Sequence, residues 1–566
     1  MTTFERTASY FPARRLSLLL TIIAIALWSF SLTQARLKLD GYGLIHSYPV
    51  SFFIALGLLT IASAILWFSP ENHGKLLFLQ LFFLIASLWL TPLLIGGIGN
   101  AQPGYTITVA DMGNSEYIIR HGHFYPELTH RFCWPGLFIF ASVISEILAL
   151  NNFNLMIAVF PFFCQFIMLL PLYVIFKNTL GKAQKNYQWG ALWIFYACSW
   201  ANPGNLHTQS MASFFILTMI AILTGTTVWQ SSREFASRLN SILLIGALTI
   251  THFLTSIYAV ILTTALYIVK RLKTPTLIML GAVLVATWLF YVATVIFEAN
   301  LASFMHSAFR VDQFWSGSVV GRISGSQEHE NVVRIRLATT IIFGLIALAG
   351  FIVGYRRKSA NDQAMIAIAL SAGVVGVVIG IAYAYELANR IFLFAALPMT
   401  YFATKLLSKK ITAVILVVLL IIVLPIHIIS HYGNQYGDYS SPSTITSWNF
   451  FHDRTNGGGV VGSFPFGFMK NIEQYRAIPF TFDEFEFQEG LYDALLGKGE
   501  DEVLYRLLQG YPHYYCLNKQ DQAFFTSTYN DTHFISNLEN RLESTKSFEV
   551  IYINPDVTIY IEEGAR

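Results

Sequence analysis

Ionisable residues are scarce in this apolar chain, and those that could do chemistry fall in a few segments. Asp111 and Glu116 stand five residues apart in one polar stretch, with Arg131 downstream. His207 and His252 sit at short polar breaks, His306 and Arg310 lie four apart, and Glu386 and Arg390 lie four apart. A carboxylate at the edge of an apolar environment can take a proton from a hydroxyl. A guanidinium suits a phosphate through its bidentate geometry. Plain structural roles fit the same residues. Asp111 can cap a short helix starting at Met112 or Gly113, and Glu386 can pair with Arg390 along one helix face. Glu116 is about one and a half helical turns from Asp111 and need not share its face. His121, His123 and His130 flank Glu127 but match no zinc-ligand spacing. Asp111 together with a substrate phosphate could hold Mg²⁺ or Mn²⁺.

These residues must be held by membrane helices. Of 566 residues, 54% are hydrophobic and only 12% charged, about half the usual share of charge. Such a chain cannot cover itself with a solvated surface, which excludes a soluble multidomain protein and a disordered one. Apolar runs near the length of a span occur at about 16–34, 48–68, 76–95, 155–177, 187–201, 211–230, 237–252, 255–271, 275–297, 336–355, 362–384, 389–406 and 411–430. About 13 transmembrane helices are therefore expected. The first run lacks a small-residue cleavage site and is expected to be a retained helix.

Charge sorts the loops. Residues 1–430 hold 14 acids and 27 bases, a balance of +13, whereas residues 431–566 hold 19 acids and 9 bases, a balance of −10. With the N-terminus cytoplasmic, 18 of those 27 bases fall on the inner side, as the positive-inside rule requires. Counting the short run Trp134–Leu150 as a span would reverse this. It is therefore expected to lie along the outer interface or to re-enter. The result is a multi-pass plasma-membrane protein with long outer loops at 96–154 and 298–335. Residues 431–566 form an extracytoplasmic domain of normal size, which reads as mixed α/β from alternation at Phe548–Ile561 and a helical stretch at Gly499–Leu508. Four cysteines make no disulfide framework, though Cys133 and Cys516 would both face outside and could bridge.

The singled-out polar residues collect on the outer side, which points to an outward-facing cavity. No inverted repeat or midplane charge chain is visible, as a transporter would show. Neither is a phosphate-cradling Gly loop, a Ser-His-Asp order or a nucleic-acid patch, so a nucleotide-sugar donor and a nucleic-acid partner are not expected.

The stretch Ala110-Asp111-Met112-Gly113-Asn114-Ser115-Glu116-Tyr117, continuing to Pro126, resembles the acidic outer-loop motif of the GT-C superfamily of polyprenyl-phosphate-sugar glycosyltransferases. Trp134-Pro135-Gly136-Leu137 is similar to the loop helix that follows it in protein-mannosyltransferase-like and aminoarabinose-transferase-like enzymes. Thr251-His252 resembles a turn between two of their middle helices, and Val550–Tyr560 a closing hairpin. Oligosaccharyltransferase subunits of the superfamily carry Trp-Trp-Asp, where this chain has only Ser447-Trp448-Asn449. The resemblance implies a GT-C-like helical fold and sugar transfer from a polyprenyl-phosphate donor to a glycan, lipid or protein acceptor. Asp111 would be the base, with Glu116 beside it. Arg390, Glu386, His252, His207, Arg310, His306 and Arg131 would bind substrate. The rival expectation is a transporter or flippase for a lipid-linked glycan.

Overall fold

The structure is a computed structural model. It describes residues 13–96, 105–128, 130–150, 153–181, 186–202, 205–225, 231–295, 323, 325–354, 359–379, 387–435, 439, 441–454, 460–463, 476–479, 514–544 and 548–562. The chain opens with α1 (Ala13–Gln34), α2 (Val50–Trp67), α3 (Gly74–Ile85) and, after a π-helical segment at Ala86–Leu90, α4 (Thr91–Gly96). Then come α5 (Tyr105–His121), α6 (Gly136–Ile147), α7 (Asn154–Thr179), α8 (Tyr187–Cys198) and α9 (Thr208–Gly225). These are followed by α10 (Ser231–Thr251), α11 (Phe253–Ile268), α12 (Thr276–Tyr291) and α13 (Gln327–Gly354). The last helices of the bundle are α14 (Ala360–Ile379), α15 (Leu387–Thr404) and α16 (Lys410–Tyr432).

Each of the thirteen apolar runs is helical over its described core. Among the described residues, eight helices are long and apolar enough to cross a membrane, namely α1, α2, the α3–α4 unit, α7, α9, α13, α15 and α16. This is an α-helical polytopic membrane protein. Of the thirteen expected crossings, eight are matched by helices of spanning length among the described residues. Among the rest, α8 has 12 residues, about 18 Å of rise against a hydrocarbon core of about 30 Å. The run from Trp134 forms α6, also 12 residues and likewise too short to cross.

Lipid supplies no hydrophobic force between helices, so polar contacts do part of the joining. The amide nitrogen of Gln80 donates to Ser17 Oγ at 2.9 Å and Thr21 Oγ1 at 2.8 Å, and Ser17 donates to the Ala62 carbonyl. That ties α1 to α2 and α3 while Leu18, Leu19 and Ile22 stay exposed. Helix ends that charge assigned to the same side also meet. On the expected inner side, Asn361 donates to the Thr179 carbonyl and Arg271 to the Ala360 carbonyl and the Asn361 side chain. There Asp362 accepts from Tyr401 at 2.7 Å and from Lys405. On the other side, Asn331 donates to the Tyr42 hydroxyl, and Ser326 N to the Ser527 carbonyl.

The acidic C-terminal region begins with α17 (Pro442–Arg454) and holds β1 (Val460–Ser463), β2 (Arg476–Pro479), β3 (Tyr514–Asn518), α18 (Lys519–Tyr529), α19 (Phe534–Ser544), β4 (Phe548–Ile553) and β5 (Val557–Glu562). One sheet runs β2-β1-β3-β5-β4, parallel around β1 and antiparallel from β3 onward. The expected hairpin at Val550–Tyr560, within the alternating run Phe548–Ile561, is present as β4–β5. The helical stretch expected at Gly499–Leu508 lies outside the described residues. Phe451, Cys516, Val557 and Ile559 form the core. Ser441 donates to Asp556 at 2.6 Å and pins α17 to the hairpin turn. Partial burial pulls the Asp556 carboxyl up, but the Ser441 and Ser443 hydroxyls and the Lys519 ammonium outweigh it and hold its pKa low. All four cysteines are buried and free, so Cys133 and Cys516 do not bridge.

Candidate functional site

Asp111 lies in the middle of α5, which starts at Tyr105. The cap expected before Met112 or Gly113 is therefore absent. The β-branched run Thr106-Ile107-Thr108-Val109 disguises the helix in the sequence. Asp111 is 1% exposed. Its Oδ1 accepts from Arg131 Nη1 at 2.5 Å, while its Oδ2 is buried with no hydrogen-bond partner among the described residues. Arg131 is presented by a short 3₁₀ turn, His130–Cys133. Phe132 anchors that turn between Tyr117 of α5 and Phe138 of α6. Trp288 of α12 donates to the Cys133 carbonyl at 2.7 Å, and Ser142 of α6 donates to the Ser115 carbonyl of α5 at 2.9 Å. The acid and its arginine are thus fixed from three elements.

α6 also meets the α10–α11 turn. Gly136 opens α6 where a Cβ would strike the Thr251 side chain and come within 3.0 Å of the Ile250 carbonyl. The ring of Trp134 packs on Phe253, centroids 5.5 Å apart. Gly136→Ala is expected to lower stability by about 1–3 kcal/mol through overpacking. Thr251→Gly in the same chain should return part of it, read as a non-additive pair of thermal midpoints. Additive losses would mean that this approach is not the constraint.

The turn between those helices carries His252. Its Nε2 is 2.9 Å from Arg390 Nη1 on α15, and its Nδ1 is 2.9 Å from Thr255 Oγ1. Arginine has only donors, so Nε2 must accept. The ring's Nδ1 also accepts from the Thr255 backbone N at 3.3 Å, as the N-cap of α11. His252 is therefore a neutral ring used at both nitrogens, and it orients a buried guanidinium. His207 lies close enough to interact with it electrostatically, and its own Nδ1 accepts from Gln209 N at the start of α9.

The remaining expected residues divide. Glu116 is half-buried on another side of α5 from Asp111. Glu386, His306 and Arg310 lie outside the described residues, and so does the expected pairing of Glu386 with Arg390; the Arg390 partner that is described is His252. Glu127 accepts from the Tyr125 hydroxyl at 2.5 Å, and this carboxylate pushes the Tyr125 pKa up. His121 and His123 are exposed around Tyr117. No group of three or more His, Cys, Asp or Glu gathers among the described residues. At Asp111 itself, one carboxylate oxygen is committed to a guanidinium, so these residues alone do not fit the cradle of a divalent cation. Asn114 escaped the sequence reading. It is fully buried, one turn beyond Asp111, and only that i, i+3 spacing could have drawn notice to it.

No protein family and no curated protein matches the chain. Among solved structures it is similar to the archaeal oligosaccharyltransferase AglB from Archaeoglobus fulgidus in complex with an inhibitory peptide and a dolichol-phosphate. The identity is 12% and the TM-score 0.45, over 85% of this chain and 71% of that one. It is also similar to the Archaeoglobus fulgidus oligosaccharyltransferase in complex with Zn and sulfate, at 12% identity and a TM-score of 0.49, over 86% of this chain and 73% of that one.

Proposed function

We propose that this chain is a GT-C-type membrane glycosyltransferase. It moves a sugar from a polyprenyl-phosphate donor to an acceptor at the outer face of the plasma membrane, with its N-terminus cytoplasmic and residues 431–566 outside. One observation carries the reading. A buried carboxylate paired with Arg131 is linked, through Trp134, Gly136 and the α10–α11 turn, to a second buried cation, Arg390 on its neutral histidine.

The two halves suit the two ends of a displacement. Asp111 takes the proton of the acceptor hydroxyl as its oxygen bonds to the sugar's anomeric carbon. The bond from that carbon to the phosphate oxygen breaks, and the electron pair leaves with the phosphate. Arg390 holds the charge that develops there. Because His252 is bonded at both nitrogens, it acts as the positioning residue for Arg390 and not as a second proton carrier.

The test is release of free polyprenyl phosphate, identified by mass, from a native extract of lipid-linked sugars by purified protein in bilayers. Source membranes supply the acceptor. Wild type should release it. Arg390→Gln should release it slower by on the order of 10²–10³-fold, the effect of removing one well-placed donor to developing charge. Release by Arg390→Gln at the wild-type rate would remove Arg390 from the phosphate end.

A further inference from the structure

Asn530-Asp531-Thr532 is the chain's only Asn-X-Ser/Thr triplet, the pattern on which N-linked sugars are attached. It lies where α18 ends. Asn530 stands just past the helix with φ 58° and ψ 29°, a left-handed position that glycine fills most often and asparagine next. That geometry explains an asparagine at 530. It does not explain a threonine two residues on.

The bonds of the turn divide the triplet. The Asp531 carbonyl accepts from Gln522 Nε2 at 2.8 Å and from Thr526 Oγ1 at 3.1 Å, and Asp531 Oδ1 accepts from His533 N at 2.8 Å. Gln522 Oε1 in turn accepts from Ile535 N at 3.0 Å, which clamps the turn to the start of α19. Each of these bonds is made by Asp531 or Gln522. The side chains of Asn530 and Thr532 are both exposed and bond to no described residue. The triplet needs an amide to react and a hydroxyl beside it, and these are the two groups the fold does not use. A bulky, water-loving group can join there without breaking a contact.

We propose that Asn530 is a modification site, recognised through Thr532, that takes a sugar on its amide nitrogen from a lipid-phosphate-linked donor at the outer face. The proposal needs the outer placement of residues 431–566 but not the chemistry assigned to Asp111, because the chain is here the acceptor. In the step, Asn530 Nδ2 bonds to the anomeric carbon of the sugar. The bond from that carbon to the carrier's phosphate oxygen breaks, and the electron pair leaves with the phosphate. One amide proton passes to the base of the transferase that reads the triplet.

Protein purified from its native source and cut after Lys519 and Arg541 yields the peptide 520–541, with Asn530 inside it. Its mass should be raised by a whole number of sugar residues, and fragment ions should place them on Asn530. Expressed in the same cells, Asn530→Gly and Thr532→Ala should both lose the increment, whereas Thr532→Ser should keep it. The two losing variants should hold their thermal midpoints within about 2 °C of wild type, since neither side chain is bonded in the turn. A peptide of unmodified mass would overturn the site. Labelling of exposed Lys519 on intact cells with a membrane-impermeant amine reagent then tells which premise failed. Labelled Lys519 removes the acceptor alone, and Lys519 labelled only after lysis removes the outer placement with it. Sugar retained by Thr532→Ala, or found on Asn537 or Asn540, would overturn recognition through the triplet.

Discussion

Asp111→Asn should lower release of polyprenyl phosphate by on the order of 10²–10⁴-fold, the range expected when a positioned base is lost. The substitution keeps the side-chain shape, but it also leaves Arg131 without its counter-charge in a place where both are largely buried. Removing one member of a buried pair costs about 3–5 kcal/mol, so a loss of activity alone would confuse chemistry with folding. The double change Asp111→Asn with Arg131→Gln separates them. It removes the orphaned charge, should recover most of the thermal midpoint, and should remain inactive. Transfer regained by the double variant would show that Asp111 serves the fold and not the proton.

The second large effect lies at the other end of the bundle. Asp362 accepts from Tyr401 and Lys405, and exchanges capping bonds with Ser359 at the start of α14. Its neighbour Asn361 ties α7 and Arg271 into the same knot. Asp362→Ala leaves the Lys405 ammonium, whose side chain is only 18% exposed, with an aromatic neighbour but no carboxylate. The expected cost is about 3–5 kcal/mol, read as a fall in the unfolding midpoint of purified protein in bilayers. Adding Lys405→Met should return most of it. A single variant as stable as wild type would mean that the knot does not hold α7, α14 and α15 together. Transfer per folded molecule should be unchanged, because Asp362 lies at the helix ends opposite the Asp111 site.

Sequence periodicity and charge found the helices because lipid imposes one rule on every span. The same rule assigned Thr179, Arg271, Asn361 and Lys405 to one side, and those residues do meet. The β4–β5 hairpin was legible for a similar reason, since alternation over a dozen residues is a local signal. What escaped was long-range. Arg390 has an obvious local partner four residues before it, and no pattern in the chain points to a histidine 138 positions away. The start of α5 was hidden because β-branched residues at 106–109 argue against a helix that packing against α6 nevertheless favours. Asn114 was missed because an uncharged side chain inside a motif looks like filler until its burial is known. Strands β1 and β2 have four residues each, too few for alternation to register, and only their neighbours in the sheet define them.

The π-helical segment of the α3–α4 unit has one more consequence. Thr91 N reaches back five residues to the Ala86 carbonyl, and the Tyr432 hydroxyl occupies the Leu88 carbonyl at 2.7 Å. Such a bulge holds one residue more than a regular helix of the same rise. A related chain lacking that residue would keep the same axis and the same ends, yet every side chain beyond the bulge would turn by about 100° unless the bulge itself were the difference. Comparisons of this chain with distant kin must therefore allow a one-residue gap inside a membrane helix, between Ala86 and Leu90, where loops would ordinarily be the only place to look.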